Sequence, residues 1–298
     1  MKTTRESLTP DFIAQLKGLD LKARLVVEGF LTGLHKSPYH GFSVEFAEYR
    51  SYMPGDEIKR IDWKVLGRSD RYYVKEFEEE TNLKSYILLD TSASMGYYKR
   101  DGLTKYQYGA CLTAALSLLL LNQNDAVGLA TFREGISSYM APSSRRSHWR
   151  HLLDLLDRES PSGRTDFEKI FYDLAGYLKR RGLIILISDL WGGSDSVLRA
   201  LRHFRHLKHE VLLFHVLDRD ELSLPSSGEW AFEDMETKER VRLDAGSAGS
   251  DYVRALKEWR EGLNRECRRN MIDFVPLDTG ESFNQALLAY LHKRQRLG

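Results

Sequence analysis

From about residue 84 onward, short apolar runs alternate with longer amphipathic stretches, and this alternation constrains the fold more than any other feature of the chain. A strand covered on both faces reads as a continuous apolar run, and a helix lying on a sheet reads as an amphipathic one. Their regular succession builds a parallel sheet with helices on both sides. Apolar runs at 86–89, 126–132, 183–188, 211–216 and 271–275 predict strands, and the stretches 104–122, 148–158, 167–181, 194–207, 251–269 and 282–294 predict helices. The expected fold class is therefore α/β, a doubly wound, mostly parallel sheet flanked by helices. Thr104 is placed to cap a helix whose 110–121 portion is apolar nearly all round, which predicts a buried helix. One stretch breaks the alternation: 230–232 and 240–243 flank a polar Met-Glu-Thr-Lys-Glu turn, which predicts an added β-hairpin over about 229–243.

The first 83 residues follow a different pattern. A helical start over 11–34 leads into a polar, aromatic and glycine-containing segment, with a turn at Pro54-Gly55 and strand-like alternation over 72–77. Such a segment has no core of its own. The expected division is an N-terminal helix and extended arm over 1–83, packed on a main α/β domain over 84–298. Trp63 and the tyrosines Tyr49, Tyr52, Tyr72 and Tyr73 are expected to lie against that domain, because so many rings exposed together would be adhesive.

Charge and cysteine content narrow the function. Lys plus Arg number 44 against 43 Asp plus Glu, so there is no global field to hold a polyanion, and nucleic acid is not an expected partner. Two cysteines, Cys111 and Cys267, allow neither a disulfide framework nor a four-ligand zinc site. The opening residues lack an apolar core typical of a secretory signal, and the greasiest stretch, 110–121, is too short to span a bilayer. A cytoplasmic protein without a transmembrane segment is expected.

Directly after the first predicted strand comes Asp90-Thr91-Ser92-Ala93-Ser94, which sets a carboxylate and two hydroxyls in one loop. In an open α/β sheet, ligands bind where loops diverge from the carboxyl ends of strands, and these hard oxygen donors suit Mg²⁺ or Mn²⁺. Two further segments add to the set. Thr165 precedes a predicted helix, and Asp189 follows the strand over 183–188. They converge on Asp90 if the strands over 86–89 and 183–188 are neighbours.

This D-x-S-x-S loop, with a Thr-Asp loop and a strand-ending Ser-Asp, resembles the metal-ion-dependent adhesion site of a von Willebrand factor A domain. The resemblance implies that Asp90, Ser92, Ser94, Thr165 and Asp189 are metal ligands, some direct and some through water, with one coordination position open to an acidic group of a partner. Arg164 stands where such loops often carry glycine, and it brings a cation close to the site. From about Gly33 to Leu243, and most specifically from Gly41 through the Pro-Gly-Asp-Glu-Ile-Lys-Arg-Ile-Asp-Trp-Lys segment to Met95, the chain resembles the bacterial MoxR-associated von Willebrand A-like family, catalogued as a domain of unknown function, family 58. That resemblance implies partnership with a MoxR-type AAA+ ATPase and a chaperone-like role in maturing a client protein.

Other readings compete with these. The charged Gly-Asp-Glu-Ile-Lys-Arg-Ile-Asp-Trp segment fits either a solvated loop or a buried clasp, with Asp56, Arg60, Asp62 and Arg68 in ion pairs. His203, His206 and His209, like His148 and His151, recur at helical spacing without acidic or cysteine partners, and are read as ordinary helix-face residues. No nucleophile elbow, H-E-x-x-H or phosphate-cradling glycine loop occurs, and the position two after Asp90, where a phosphoaspartyl enzyme would need its acid, is Ser92. The expected function is a non-catalytic, metal-dependent protein-binding adaptor with no catalytic or organic-cofactor residues. The alternative is a magnesium-dependent hydrolase or phosphotransferase using the same site.

Overall fold

The structure, a computed structural model, describes residues 9–35, 49–51, 73–75, 84–97, 102–178, 181–191, 193–225 and 227–296. Its centre is a six-stranded sheet of β3 (Lys84–Asp90), β4 (Ala126–Phe132), β5 (Ile136–Ser143), β6 (Leu183–Ser188), β7 (Glu210–Leu217) and β10 (Asp273–Asp278). The spatial order is β10-β7-β6-β3-β4-β5, and every neighbouring pair is parallel except β4 with β5. Starting at β3, the chain first builds towards β5 on one side, then returns to β6 and builds towards β10 on the other. The strand order therefore reverses between β3 and β6, and the crevice for a ligand opens at their carboxyl ends.

Period-two alternation within the strands divides the core in two. Ile87, Leu89, Ile185, Ile187 and Phe214 face one layer, while Tyr86, Leu88, Ile184, Leu186 and Leu213 face the other. The first layer is covered by α1 (Pro10–Gln15), α2 (Leu19–His35), α3 (Lys105–Asn122), α4 (Arg146–Arg158) and α8 (Asn284–Gln295). The second is covered by α5 (Phe167–Tyr177), α6 (Ser194–His206) and α7 (Ala245–Arg269). Helix α3 is buried on nearly every side, and Thr104 caps it through a reciprocal pair with Gln107.

The predicted elements shift at several places for physical reasons. The N-terminal helical stretch is two helices, because Gly18 takes φ +84° between them. Strand β5 was not expected. It is a half-exposed edge strand containing Pro142, and its mixed polarity reads as loop. The last strand begins at Asp273 rather than 271, because Met271 adopts φ +56° and Ile272 donates back to the Cys267 carbonyl to close α7. Helix α7 begins at Ala245, earlier than expected, where Asp244 accepts from the Ser247 amide.

The expected hairpin is present as β8 (Glu229–Glu233) paired antiparallel with β9 (Arg240–Asp244). In the N-terminal part, Ile13, Ala23, Val26, Val27 and Phe30 of α1 and α2 join the main core. The arm contributes β1 (Tyr49–Ser51) and β2 (Tyr73–Lys75), which pair antiparallel. Trp63, Tyr52, Tyr72 and the charged residues Asp56, Arg60, Asp62 and Arg68 lie outside the described residues. Both cysteines are buried and free, and burial pushes each thiol up to about 12.

Candidate metal centre

Strands β3 and β6 are direct neighbours, with Leu89 opposite Ile187, so Asp90 and Asp189 leave the sheet side by side. Asp90 is wholly buried, and both of its oxygens are engaged. Oδ1 accepts the Ser92 amide at 2.9 Å, and Oδ2 accepts the Ser188 hydroxyl at 2.6 Å. The chain then turns into a short 3-10 segment, Ala93–Gly96, which brings the Ser92 and Ser94 hydroxyls within 3.0 Å of each other. The 162–166 loop is tied to the same place by backbone bonds, Ser162 to the Thr91 carbonyl and Ala93 to the Gly163 carbonyl, each at 3.0 Å. This loop delivers Thr165, half-buried, to the edge of the crevice. After Asp189, Leu190 adopts φ +58°, which bends the chain so that the Trp191 amide returns to Asp189 Oδ1 at 3.2 Å. All five residues anticipated from the sequence therefore stand in three loops around one crevice.

The electrostatics separate the two carboxylates. Burial raises Asp90 above the usual carboxylate range, and the negative charge of Asp189 raises it further, against the hydrogen bonds from Ser188 and Ser92. Among the described residues no cation pairs with it. For Asp189, burial would have the same effect, but the Lys105 ammonium at 2.7 Å outweighs it and holds Asp189 below its ordinary value. Lys105 is itself buried at the first turn of α3 and also pairs with Glu221 at 2.6 Å.

Three participants were not anticipated. Lys105 carried a signal, since it is a lone charge at the start of an otherwise apolar helix, at the end where a helix dipole disfavours cations. Glu221 carried none. Glu236, in the hairpin turn, accepts from the Thr165 amide at 3.3 Å and from the Thr165 hydroxyl at 3.4 Å. Arg164, the departure noted in the sequence, faces the hairpin, with Nε donating to the Glu236 carbonyl at 3.2 Å.

The donor set fits a hard divalent cation. It offers oxygens only, and Asp90, wholly buried, is a carboxylate whose charge no described cation balances. Among the described residues, no three His, Cys, Asp or Glu side chains are grouped to hold a metal, so hydroxyls are needed to complete this set. The histidines serve elsewhere: His148, in α4, is bound through Nε2 to the Val127 carbonyl, and His209, in the turn past the end of α6, packs edge-on to Tyr86 and Phe204.

A doubly wound sheet with one antiparallel edge, and three loops converging at its switch point, define a von Willebrand A-like α/β protein. The sequence profile of the family described as "Protein of unknown function DUF58" matches residues 48–262, and the chain belongs to that family. It is 27% identical to an uncharacterized protein of Mycobacterium tuberculosis over 298 residues, covering 96% of this chain and 91% of that one. Among solved structures, an aerotolerance-related membrane protein from Bacteroides fragilis aligns with a TM-score of 0.50 and 15% identity, covering 72% of this chain and 99% of that one. BatB from Bacteroides thetaiotaomicron aligns with a TM-score of 0.48 and 14% identity, covering 72% and 100% respectively. The first of these likenesses supports the fold. No helix among the described residues is long and apolar enough to cross a membrane.

Proposed function

We propose that this chain is a non-catalytic, metal-dependent protein-binding adaptor that recognises an acidic side chain of its partner. The observation that carries the reading is Asp90, a fully buried carboxylate without a cationic partner among the described residues, set beside the hydroxyls of Ser92 and Ser94. Mg²⁺ or Mn²⁺ would be held there by Asp90, Ser92 and Ser94, with Thr165 and Asp189 completing the set. When bound, the ion supplies a positive charge that an incoming carboxylate can satisfy. Around it, the chain's own residues set the specificity. Lys105 offsets part of the charge of Asp189 and Glu221, while Asp90, without a cationic partner among the described residues, gives the ion a buried counter-charge that an acidic ligand would supplement.

A cleft of about 1290 Å³ beside the crevice supports a macromolecular partner. Its lining includes Thr165, Asp189, Trp191, Tyr252 and Trp259, so aromatic surface is available for the residues flanking an acidic ligand. The serine hydroxyls bond to each other rather than to an imidazole, an arrangement that supports binding over nucleophilic catalysis. The partner we propose is a MoxR-type AAA+ ATPase working in the cytoplasm, with this chain linking its nucleotide cycle to an acidic client.

The test uses the purified ATPase from the same genome, titrated calorimetrically with this protein in Mg²⁺ and in EDTA. Binding in Mg²⁺ that disappears in EDTA and in Thr165→Ala is expected. Equal affinity in all three arms would show that docking does not pass through the crevice.

A further inference from the structure

The β8–β9 hairpin is an unusual appendage. In its two strands only Phe232 and Leu243 are half-buried and every other residue is exposed, with Trp230 and Val241 48% and 58% accessible. An isolated two-stranded hairpin is marginal in water, so its position must be set by whatever its ends touch. One end runs into α7. At the other, the turn reaches across to the three loops of the metal centre.

The contacts of that turn are specific. Asp234 folds it by accepting the amides of Glu236 at 2.7 Å and Thr237 at 2.8 Å, and its other oxygen accepts the Trp191 indole N–H at 3.3 Å. The folded turn presents Glu236 to Thr165, whose amide and hydroxyl grip the two carboxylate oxygens separately. The Ser92 and Ser94 hydroxyls, bonded to each other, and the carboxylate of Asp189 lie in the same electrostatic neighbourhood as Glu236. Glu236 thus holds a hydroxyl-bearing residue of the centre directly, through Thr165. A carboxylate from another protein, seeking the same ion, would have to stand in the same place.

We propose that Glu236 is the chain's own acidic ligand for this centre, delivered by a hairpin that a partner's carboxylate must displace. This rests on the reading of Asp90, Ser92, Ser94, Thr165 and Asp189 as a cation site. The contacts suit a displaceable plug. The bonds from Thr165 are long, so a better-placed acid can replace them, yet tethering gives Glu236 an effective concentration on the order of millimolar that shields the ion from weak free acids. Specificity then comes from competition. Only a partner that offers both an acid and enough surface to move the hairpin opens the site.

The experiment titrates Mn²⁺ into the wild-type chain, Glu236→Gln, Glu236→Ala and Asp90→Asn, following water-proton relaxation and amide hydrogen exchange over residues 229–244. In the wild type, Mn²⁺ should slow exchange across the hairpin. In both Glu236 variants it should leave hairpin exchange unchanged, weaken Mn²⁺ binding about tenfold through loss of one charge-assisted bond, and raise relaxation per bound ion as water takes the vacated position. Wild-type Mn²⁺ binding that depends on Asp90, with unchanged affinity and hairpin exchange in the Glu236 variants, would overturn the ligand role and leave the cation site standing. Failure of the wild type to bind Mn²⁺ would overturn the cation site and the ligand role together.

Discussion

Lys105 places a positive charge inside the protein at the first turn of α3, beside the candidate metal centre. The ammonium is 1% exposed and bonds two carboxylates, Asp189 and Glu221, that would otherwise repel each other in a poorly solvated space. Removing one partner from a buried ion pair costs about 3–5 kcal/mol, because the remaining charges lose their compensation. Lys105→Met should therefore lower stability by roughly that amount in chemical denaturation, and added Mn²⁺ should restore part of the loss by supplying the missing charge. Equal denaturation midpoints with and without Lys105 would remove this account of Asp189. Histidines give a second expectation. Burial holds His148 and His209 below the ordinary imidazole value, so the folded state resists a proton that the unfolded chain takes up near pH 6.5. Their contribution to stability is thus fully present above that pH and is lost as pH falls below it. Thermal melts at pH 7.5 and 5.5 should show a smaller acid loss in the double variant His148→Gln, His209→Gln than in the wild type. Residue-level legibility was uneven. Asp90, Ser92 and Ser94 could be read because their spacing is a local pattern, and Thr165 and Asp189 through the family resemblance that joins their loops to it, whereas Glu221 and Glu236 reach the site only through the fold and carry no local signature.

At the scale of elements, close approach of backbones holds the two site-bearing strands in register. Gly182 begins the approach to β6, and a Cβ built there would stand 2.0 Å from the Lys84 carbonyl oxygen of β3. A backbone atom cannot step aside as a side-chain tip can, so Gly182→Ala should shift one strand against the other. The expected cost is about 2–3 kcal/mol, read from urea denaturation, with weaker divalent-ion binding because Asp90 and Asp189 end those strands. An alanine variant with unchanged stability would show that the junction has more room than the geometry implies. The strands and helices of the α/β core were legible because the central stretches of β3, β6 and β7 are buried on both faces and read as apolar runs. Edges and ends were not. Strand β5 is stabilised by its pairing with β4 despite a mixed sequence, and the start of α7 runs through Ala, Gly and Ser, whose low helical preference is offset by the Asp244 cap.

Across the whole molecule, the N-terminal helices complete the core on the face of the sheet that carries α3. Phe30 of α2 is 2% exposed within that core. Phe30→Ala should lower the stability of the entire α/β unit by about 3–5 kcal/mol in a single transition, and a separate early melting step would instead make α1 and α2 an independent unit. The fold thus positions three loops at the switch point of one sheet, anchors them through buried strands and α3, and leaves a weakly supported hairpin over the opening. In the proposed reading the divalent ion is central, since its charge is what an acidic partner would satisfy. The most direct measurement is a calorimetric titration of Mg²⁺ and Mn²⁺ into the wild type and Asp90→Asn, with circular dichroism confirming that both are folded. The account predicts one weakly bound ion per chain in the wild type and none in Asp90→Asn. Undiminished binding in the folded Asp90→Asn protein would contradict it.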